Sequence, residues 1–175
     1  MPSPSVLAPA SIEIARLVRD AQQGDREAFA RLYERFARMV HGIVLARIGR
    51  TDVDDVVQDV FMTALDRLSD LREPAAFGGW IAAIARHRSA DHMRRIVPTD
   101  ELTHDTAPTK DPDRLEALAI LDTVRSLPEA YRETLILRLV EGMTGAEIAE
   151  RTGLTPASVR VNLHRGMKLL REKLT

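Results

Sequence analysis

Residues 145–170 read GAEIAERTGLTPASVRVNLHRGMKLL, and the placing of their small and apolar residues decides the fold. Ile148 and Ala149 lie on a short helix, Gly153 follows four residues later, Leu154 comes next, and Val159 stands six residues past the glycine. Two helices that cross steeply through a tight turn need a small residue where they touch. They also need a corner residue that tolerates positive φ, and apolar anchors on either side. Ala149, Gly153 and the set Ile148, Leu154 and Val159 meet those needs in order. Thr155 is placed to cap the second helix, with Pro156 favourable at its first position. Val159, Leu163, Met167 and Leu170 own the inward stripe of that helix, which leaves Ser158, Arg160, Val161, Asn162, His164, Arg165 and Lys168 outward. A face of Arg, Asn and His matches a DNA major groove in size and hydrogen-bonding capacity. A plain helical hairpin is the bland alternative.

Upstream of this motif the apolar residues recur at helical spacing and strict alternation is absent, so the protein is expected to be all-α. After Asp25, a candidate N-cap, Phe29, Leu32, Tyr33, Phe36, Met39, Val40, Ile43 and Val44 form the stripe of a long helix ending near Gly49. Val53, Val56, Val57, Val60, Phe61, Ala64, Leu65 and Leu68 then make an unbroken i, i+3, i+4 series. Pro74 restarts the chain into a third helix with Phe77, Trp80, Ile81, Ile84 and Ala85 on one side. The two aromatics are assigned to packing in preference to stacking on unpaired bases. Residues 98–113 carry Pro98, Pro108 and Pro112 and almost no apolar side chain, so they read as a flexible acidic linker. The expected organisation is two small helical domains, 1–97 and 114–175, joined by the linker 98–113. The start, MPSPSVLAPASIEIAR, reads as a short frayed arm.

Composition limits the function classes. The 175 residues contain 25 Lys and Arg against 26 Asp and Glu, net −1, with no cysteine, which excludes disulfides and thiolate metal sites. No apolar run approaches the roughly 20 residues of a membrane span, so a soluble cytoplasmic protein is expected. The near-zero net charge conceals segregation. Residues 86–95 hold four Arg and one Asp, net +3; residues 98–113 hold five acids and one Lys, net −4; residues 154–175 hold five Lys or Arg and one Glu, net +4. Basic patches suit a polyanion, although each alone is more often a solvated helix face.

Four pieces in order, AFARLYERF, DVDDVVQDVFMTAL, FGGWIAAIARHRSADHMRR and, after the spacer, the run from LPEAYRETLILRLVEGM through the helix-turn-helix, make the chain resemble a bacterial sigma factor of the extracytoplasmic-function (ECF) group over nearly its full length. The resemblance implies a promoter-specificity subunit of RNA polymerase. Its first domain would open and read the minus-ten element, and its second would read the minus-thirty-five element. Asp55, Gln58, Asp59, Met62 and Asp66 form a second stripe opposite the apolar one. Solubility would explain them from physics alone; the resemblance assigns them to docking on the polymerase core. By the same resemblance the minus-ten surface comprises Arg86, His87, Arg94 and Arg95, with the loop 71–76 and its Arg72. Family members commonly carry Asn at the place of His87. They carry Ser and Arg at the places of Val161 and Asn162, so Arg160, His164 and Arg165 transfer best; Val161 suits a thymine methyl. Ser158, Asn162 and Lys168, nearer the phosphates, and Thr155 complete the minus-thirty-five set. An anti-sigma factor is an implied partner, and any thiol-based switch would have to reside in it.

An enzyme is the first rival reading. His87, Asp91 and His92 are close in sequence, but His87 and His92 face different sides of a helix with no third ligand. No phosphate loop or nucleophile motif occurs, so no catalysis and no cofactor are expected. An autonomous helix-turn-helix regulator with an N-terminal sensing domain is the second rival. Such a protein would bind duplex operator unaided, whereas a sigma factor becomes specific with polymerase core.

Overall fold

Helix-forming stripes account for nearly every element of the structure, a computed structural model that describes residues 9–96 and 111–175. The order is α1 Pro9–Gln22, α2 Arg26–Leu45, α3 Val53–Asp66, α4 Phe77–Arg95, α5 Pro112–Arg125, α6 Glu129–Leu139, α7 Gly145–Thr152 and α8 Pro156–Leu174. Single 3₁₀ turns stand at Arg50–Asp52, Leu68–Asp70 and Pro74–Ala76. No strand occurs among the described residues.

The frayed arm expected at the start is corrected from Pro9 onward. Ile14, Leu17, Val18 and Ala21 repeat at helical spacing and are all buried, so residues 9–22 fold as α1 against α2. Proline at the first helical position is compatible with this start. Gln22, at the end of α1, donates from Nε2 to the carbonyls of Leu68 and Leu71, each at 2.9 Å, and so ties down the loop that precedes α4.

Asp25 caps α2 as its sequence suggests, accepting from the amides of Glu27 at 2.9 Å and Ala28 at 3.1 Å. The helix stops at Leu45, short of Gly49. Leu32, Phe36, Met39, Val40 and Ile43 are fully enclosed, and Phe36 meets Phe77 edge to face at 5.1 Å. Val53, Val56, Val57, Val60, Phe61 and Ala64 bury the inner side of α3. Tyr33 and Leu65, placed on core stripes by spacing, stand 45% and 48% exposed. They lie side by side along one groove, where the stripes of α2 and α3 run out of partners.

The expected linker falls outside the described residues as far as 110. From 111 the chain is organised: Asp111 accepts from the amide of Asp113 at 3.2 Å and Pro112 opens α5. In the second part Leu135, Ile136, Met143 and Ile148 are enclosed, and Val159 and Leu170 are the buried anchors of α8. Thr144 and Glu147 form a reciprocal capping box at the start of α7. Gly153 ends that helix at φ +76°.

The two parts touch through glycine. A Cβ on Gly78 would collide with the backbone carbonyl of Arg151, and one on Gly42 would lie 2.7 Å from Leu137 Cδ2. Gly153 and Gly79 meet backbone to backbone. The FGGW sequence is therefore the seat on which α7 rests, a role that spacing along α4 does not reveal. Replacing Gly153 with Ala is expected to lower the unfolding free energy by about 1–2 kcal/mol, because the left-handed corner is strained for any residue with a Cβ. Urea titration of the variant beside the parent checks this, and equal midpoints would contradict the corner assignment.

Candidate nucleic-acid interface

The exposed side of α8 follows from its buried side. Val159 and Leu170 are enclosed and Leu163 and Met167 pack at the margin of the core. Ser158, Arg160, Val161, His164, Arg165 and Lys168 consequently face solvent. Thr155 accepts from the Ser158 amide at 3.1 Å and shares a 2.8 Å hydroxyl contact with Ser158. Both hydroxyls thus stay at the helix N-terminus, where orphan amides and the helix dipole attract phosphate oxygens. Asn162 departs from the expected outward face. It is half-buried beside Arg47, Arg86, Glu129 and Glu133, with its amide 3.5 Å from Thr134 Oγ1. Gly166 is buried against Leu135 and Tyr131, and this shortened side lets α8 cross α6 closely.

On α4, Phe77 is enclosed and Trp80 is half-buried 5.8 Å from it, in keeping with packing. Trp80 also shares a cleft of about 300 Å³ with Thr63, Arg67, Ile84, His87 and Arg88. Arg88 is half-buried and donates from Nε to Thr63 Oγ1 at 3.0 Å, which fixes a guanidinium in that cleft. Spacing gave Arg88 no role; its partner on α3 is what brings it beside His87. The His87 side chain is 71% exposed, with Nε2 3.3 Å from Asp91 Oδ2. Arg94 also pairs with Asp91. Arg72, in the loop before α4, is exposed, as is Arg95. Arg86 does not join this group, because it turns toward α6 and forms a two-pronged pair with Glu133.

Asp55, Gln58, Asp59, Met62 and Asp66 are all exposed on one side of α3, while their neighbours on the opposite side are buried. Beside them runs a groove of about 490 Å³ lined by Phe29, Tyr33, Phe61 and Leu65 as well as Gln58 and Met62. The Tyr33 and Phe61 rings lie 4.5 Å apart at its base. The stripe is therefore more than a solvated acidic face. It borders an aromatic depression with Met62 standing 56% exposed at the edge.

Ion pairs of one polarity cross between the two parts. Arg35 meets Glu150 at 3.4 Å, His41 meets Glu141 at 2.5 Å, Arg47 meets Glu129 and Glu133, and Arg86 meets Glu133 at 2.7 Å. Burial alone would raise the Glu133 carboxyl. The hydrogen bonds from Arg86 and the charges of Arg86 and Arg47 outweigh burial and hold it below its ordinary value. The hydrogen bond to Glu141 raises His41 against partial burial, helped by the charge of Asp54. Arg38 donates to the Glu141 carbonyl from the other side. A raised histidine stabilises the fold fully below the unfolded value near pH 6.5. That contribution is expected to disappear as pH rises through the higher folded value, so stability should decline from about pH 6.5 upward. Denaturant titrations from pH 6 to 9 test it: His41→Gln should flatten the decline, and an unaltered slope would remove His41 as its source.

A helix-turn-helix with a basic outer face, following a helical unit that carries both an acidic stripe and a basic helix end, defines a sigma-type DNA-binding protein. Comparison with known proteins agrees. Sigma-70 region 2 matches residues 32–97 and Sigma-70, region 4 matches residues 117–170. The ECF RNA polymerase sigma factor BldN of Streptomyces coelicolor is 30% identical over 91% of this chain and 65% of its own length. SigD of Mycobacterium tuberculosis, another ECF sigma factor, is 31% identical over 90% of this chain and 82% of its own. The solved structure of CnrH in complex with the cytosolic domain of CnrY superposes with a TM-score of 0.65. That pair is 27% identical, over 93% of this chain and 97% of CnrH. The chain belongs to the sigma-70 family, in its ECF group, and is a sigma subunit that directs transcription initiation by RNA polymerase. The autonomous regulator falls away as the weaker reading. Sigma factors are initiation factors rather than enzymes, and no described helix is long and apolar enough to cross a membrane.

Proposed function

We propose that the α3 stripe of Asp55, Gln58, Asp59, Met62 and Asp66 docks on the polymerase core, with the neighbouring aromatic groove taking an apolar side chain of the partner. The observation that supports this most directly is that every member of the stripe is exposed although the core needs none of them. The Asp55→Lys, Asp59→Lys double variant should fold normally, since exposed substitutions usually change stability by no more than about 0.5 kcal/mol. Its affinity for core enzyme should fall by roughly tenfold or more, as like charges are brought together at the interface. Unchanged affinity with a normal circular dichroism spectrum would refute the docking face.

The unit 1–97 reads and opens the minus-ten element through Arg72, His87, Arg94 and Arg95, with Arg86 joining them when it leaves Glu133. Linker 98–113 connects it to the unit 114–175. There Arg160, Val161, His164 and Arg165 face the bases of the minus-thirty-five element, and Thr155, Ser158 and Lys168 lie nearer the phosphates. Asn162 sits at the edge of that face, toward α6. The protein works in the cytoplasm without cofactor or catalysis of its own. A restraining anti-sigma partner, of the kind suggested by the CnrH complex, regulates it.

Base readers and phosphate contacts separate experimentally. Arg160→Ala or Arg165→Ala in holoenzyme should cost roughly 1–3 kcal/mol and relax specificity at one base position, because a guanidinium grips guanine through two parallel hydrogen bonds. Lys168→Ala should weaken binding to all sequences alike and reduce the salt slope by about one. Binding to minus-thirty-five variants at several salt concentrations distinguishes them. If both Arg variants move the salt slope alone, base reading lies elsewhere on α8.

A further inference from the structure

The structure holds the two halves packed against each other. Elements named minus-ten and minus-thirty-five are about 25 base pairs apart, roughly 85 Å along straight duplex at about 3.4 Å per step. Here α7 rests on the first turn of α4, with Gly78 under the Arg151 carbonyl and Gly79 against Gly153. The same closure removes Arg86 from the candidate minus-ten surface and gives it to Glu133. Opening is feasible in length, since residues 97–110 join the halves with a reach of up to roughly 46 Å at about 3.3 Å per residue.

Charged contacts line the seam between the halves, beside the apolar and glycine contacts of Leu137, Gly42 and Gly78. Arg35, Arg38, His41 and Arg47 lie along α2 and just past its end, and each meets α6, α7 or the turn between them. Glu133 is different from the rim acids. Its side chain is 7% exposed, whereas that of Glu129 is 63% exposed. Both Glu133 oxygens are engaged, by Arg86 Nε and a terminal nitrogen at 3.1 and 2.7 Å and by Arg47 at 2.7 Å. Interfaces between units of one chain are commonly partly polar and permit relative motion.

We propose that Glu133 is an internal latch: its carboxylate, clamped by Arg47 and Arg86, holds the sigma factor closed and masks Arg86 until polymerase or DNA separates the halves. The masking part rests on the reading that Arg86 contributes to the minus-ten surface. The closing part rests on geometry alone. Glu133→Gln keeps the side-chain size and removes the charge that both guanidiniums answer, leaving two cations facing each other. Removing one member of a buried ionic cluster shifts an equilibrium strongly, so the ratio of open to closed molecules should rise roughly tenfold or more.

The cysteine-free chain permits a direct test. Gln23→Cys and Glu172→Cys place a donor and an acceptor dye on exposed sites of the two halves in the full-length protein. Energy transfer should fall in Glu133→Gln and stay near the parent value in Glu129→Gln, which loses a rim contact only. Equal transfer in the parent and a folded Glu133→Gln chain would overturn the latch. A second arm avoids any folding defect. Arg35→Cys and Glu150→Cys joined by a short bis-maleimide lock the halves together, and each single variant treated alike is the control. The locked chain should lose at least about tenfold in promoter-dependent transcription with core enzyme, as an obligatory opening demands. Normal transcription by the locked chain would also overturn the proposal. Arg86→Gln in holoenzyme separates the two parts. If it leaves minus-ten affinity unaltered while Glu133→Gln still opens the labelled chain, closure by Glu133 stands and the masking of a DNA contact is refuted.

Discussion

A carboxylate taken out of water loses several kilocalories per mole of hydration unless cations and donors replace it. At Glu133 the replacement is supplied by two guanidiniums from the other half of the chain. Arg86 presents a planar fork that satisfies both carboxylate oxygens at once, and Arg47 approaches one of them beside it. Apolar surfaces tolerate sliding, but this cluster does not, because a shift of one helical turn would strand a buried charge. One carboxylate thus pins the register of α6 on α2 and α4, within a contact that Leu135, Ile136 and Leu137 also bury. Gly42 and Gly78 then permit the approach that this placing demands, the first beneath Leu137 and the second beneath the Arg151 carbonyl.

Within each half the sequence is close to a description of the structure. The stripe from Val53 to Ala64 is buried as its spacing dictates, and the corner at Gly153 has the backbone that the neighbouring residues require. Such features depend on residues a few positions apart, so a local reading captures them. Failures have one physical origin, contacts between residues distant in the chain. Tyr33 and Leu65 continue regular stripes but are exposed, because the groove between α2 and α3 has no further element to cover it. Ile14 to Ala21 carry a full helical stripe that the preceding prolines and serines obscure. Asn162 and Arg86 fall on outward faces of their helical wheels, and only the arrival of α6 covers them.

The same distinction governs the candidate surfaces. The α3 stripe and the basic side of α8 are legible as residues their own cores leave over. The cleft of Trp80, His87 and Arg88 is not, since Arg88 enters it through Thr63, 25 positions away on α3. Charge segregation rather than net charge carries the functional information. A chain at −1 presents an acidic, aromatic-edged surface on α3 and a cationic one on α8, so each partner meets a local potential of the opposite kind to the other's. At physiological salt such fields fade within about 8 Å, and two separate faces on one small protein can act independently.

α4 is where these demands converge, and its composition reflects all of them. Phe77, Ile81 and Ala85 fill the N-terminal core. Gly78 and Gly79 admit α7, Arg86 answers Glu133, and Trp80, His87 and Arg88 line an open cleft. A helix that must satisfy neighbours on most sides cannot show one clean apolar face, and a stripe analysis assigns whatever is left over to solvent. That is why Arg86, the first cation of the basic half of α4, reads as a nucleic-acid contact from sequence and as an ion-pair member in the folded chain. Both readings use the same guanidinium, whose affinity for a phosphate and for a carboxylate has the same geometric basis. A carboxylate held at a fixed place within the chain competes for that guanidinium at high effective concentration, and on the proposed latch the state of the Glu133 contact would decide whether Arg86 is available to DNA.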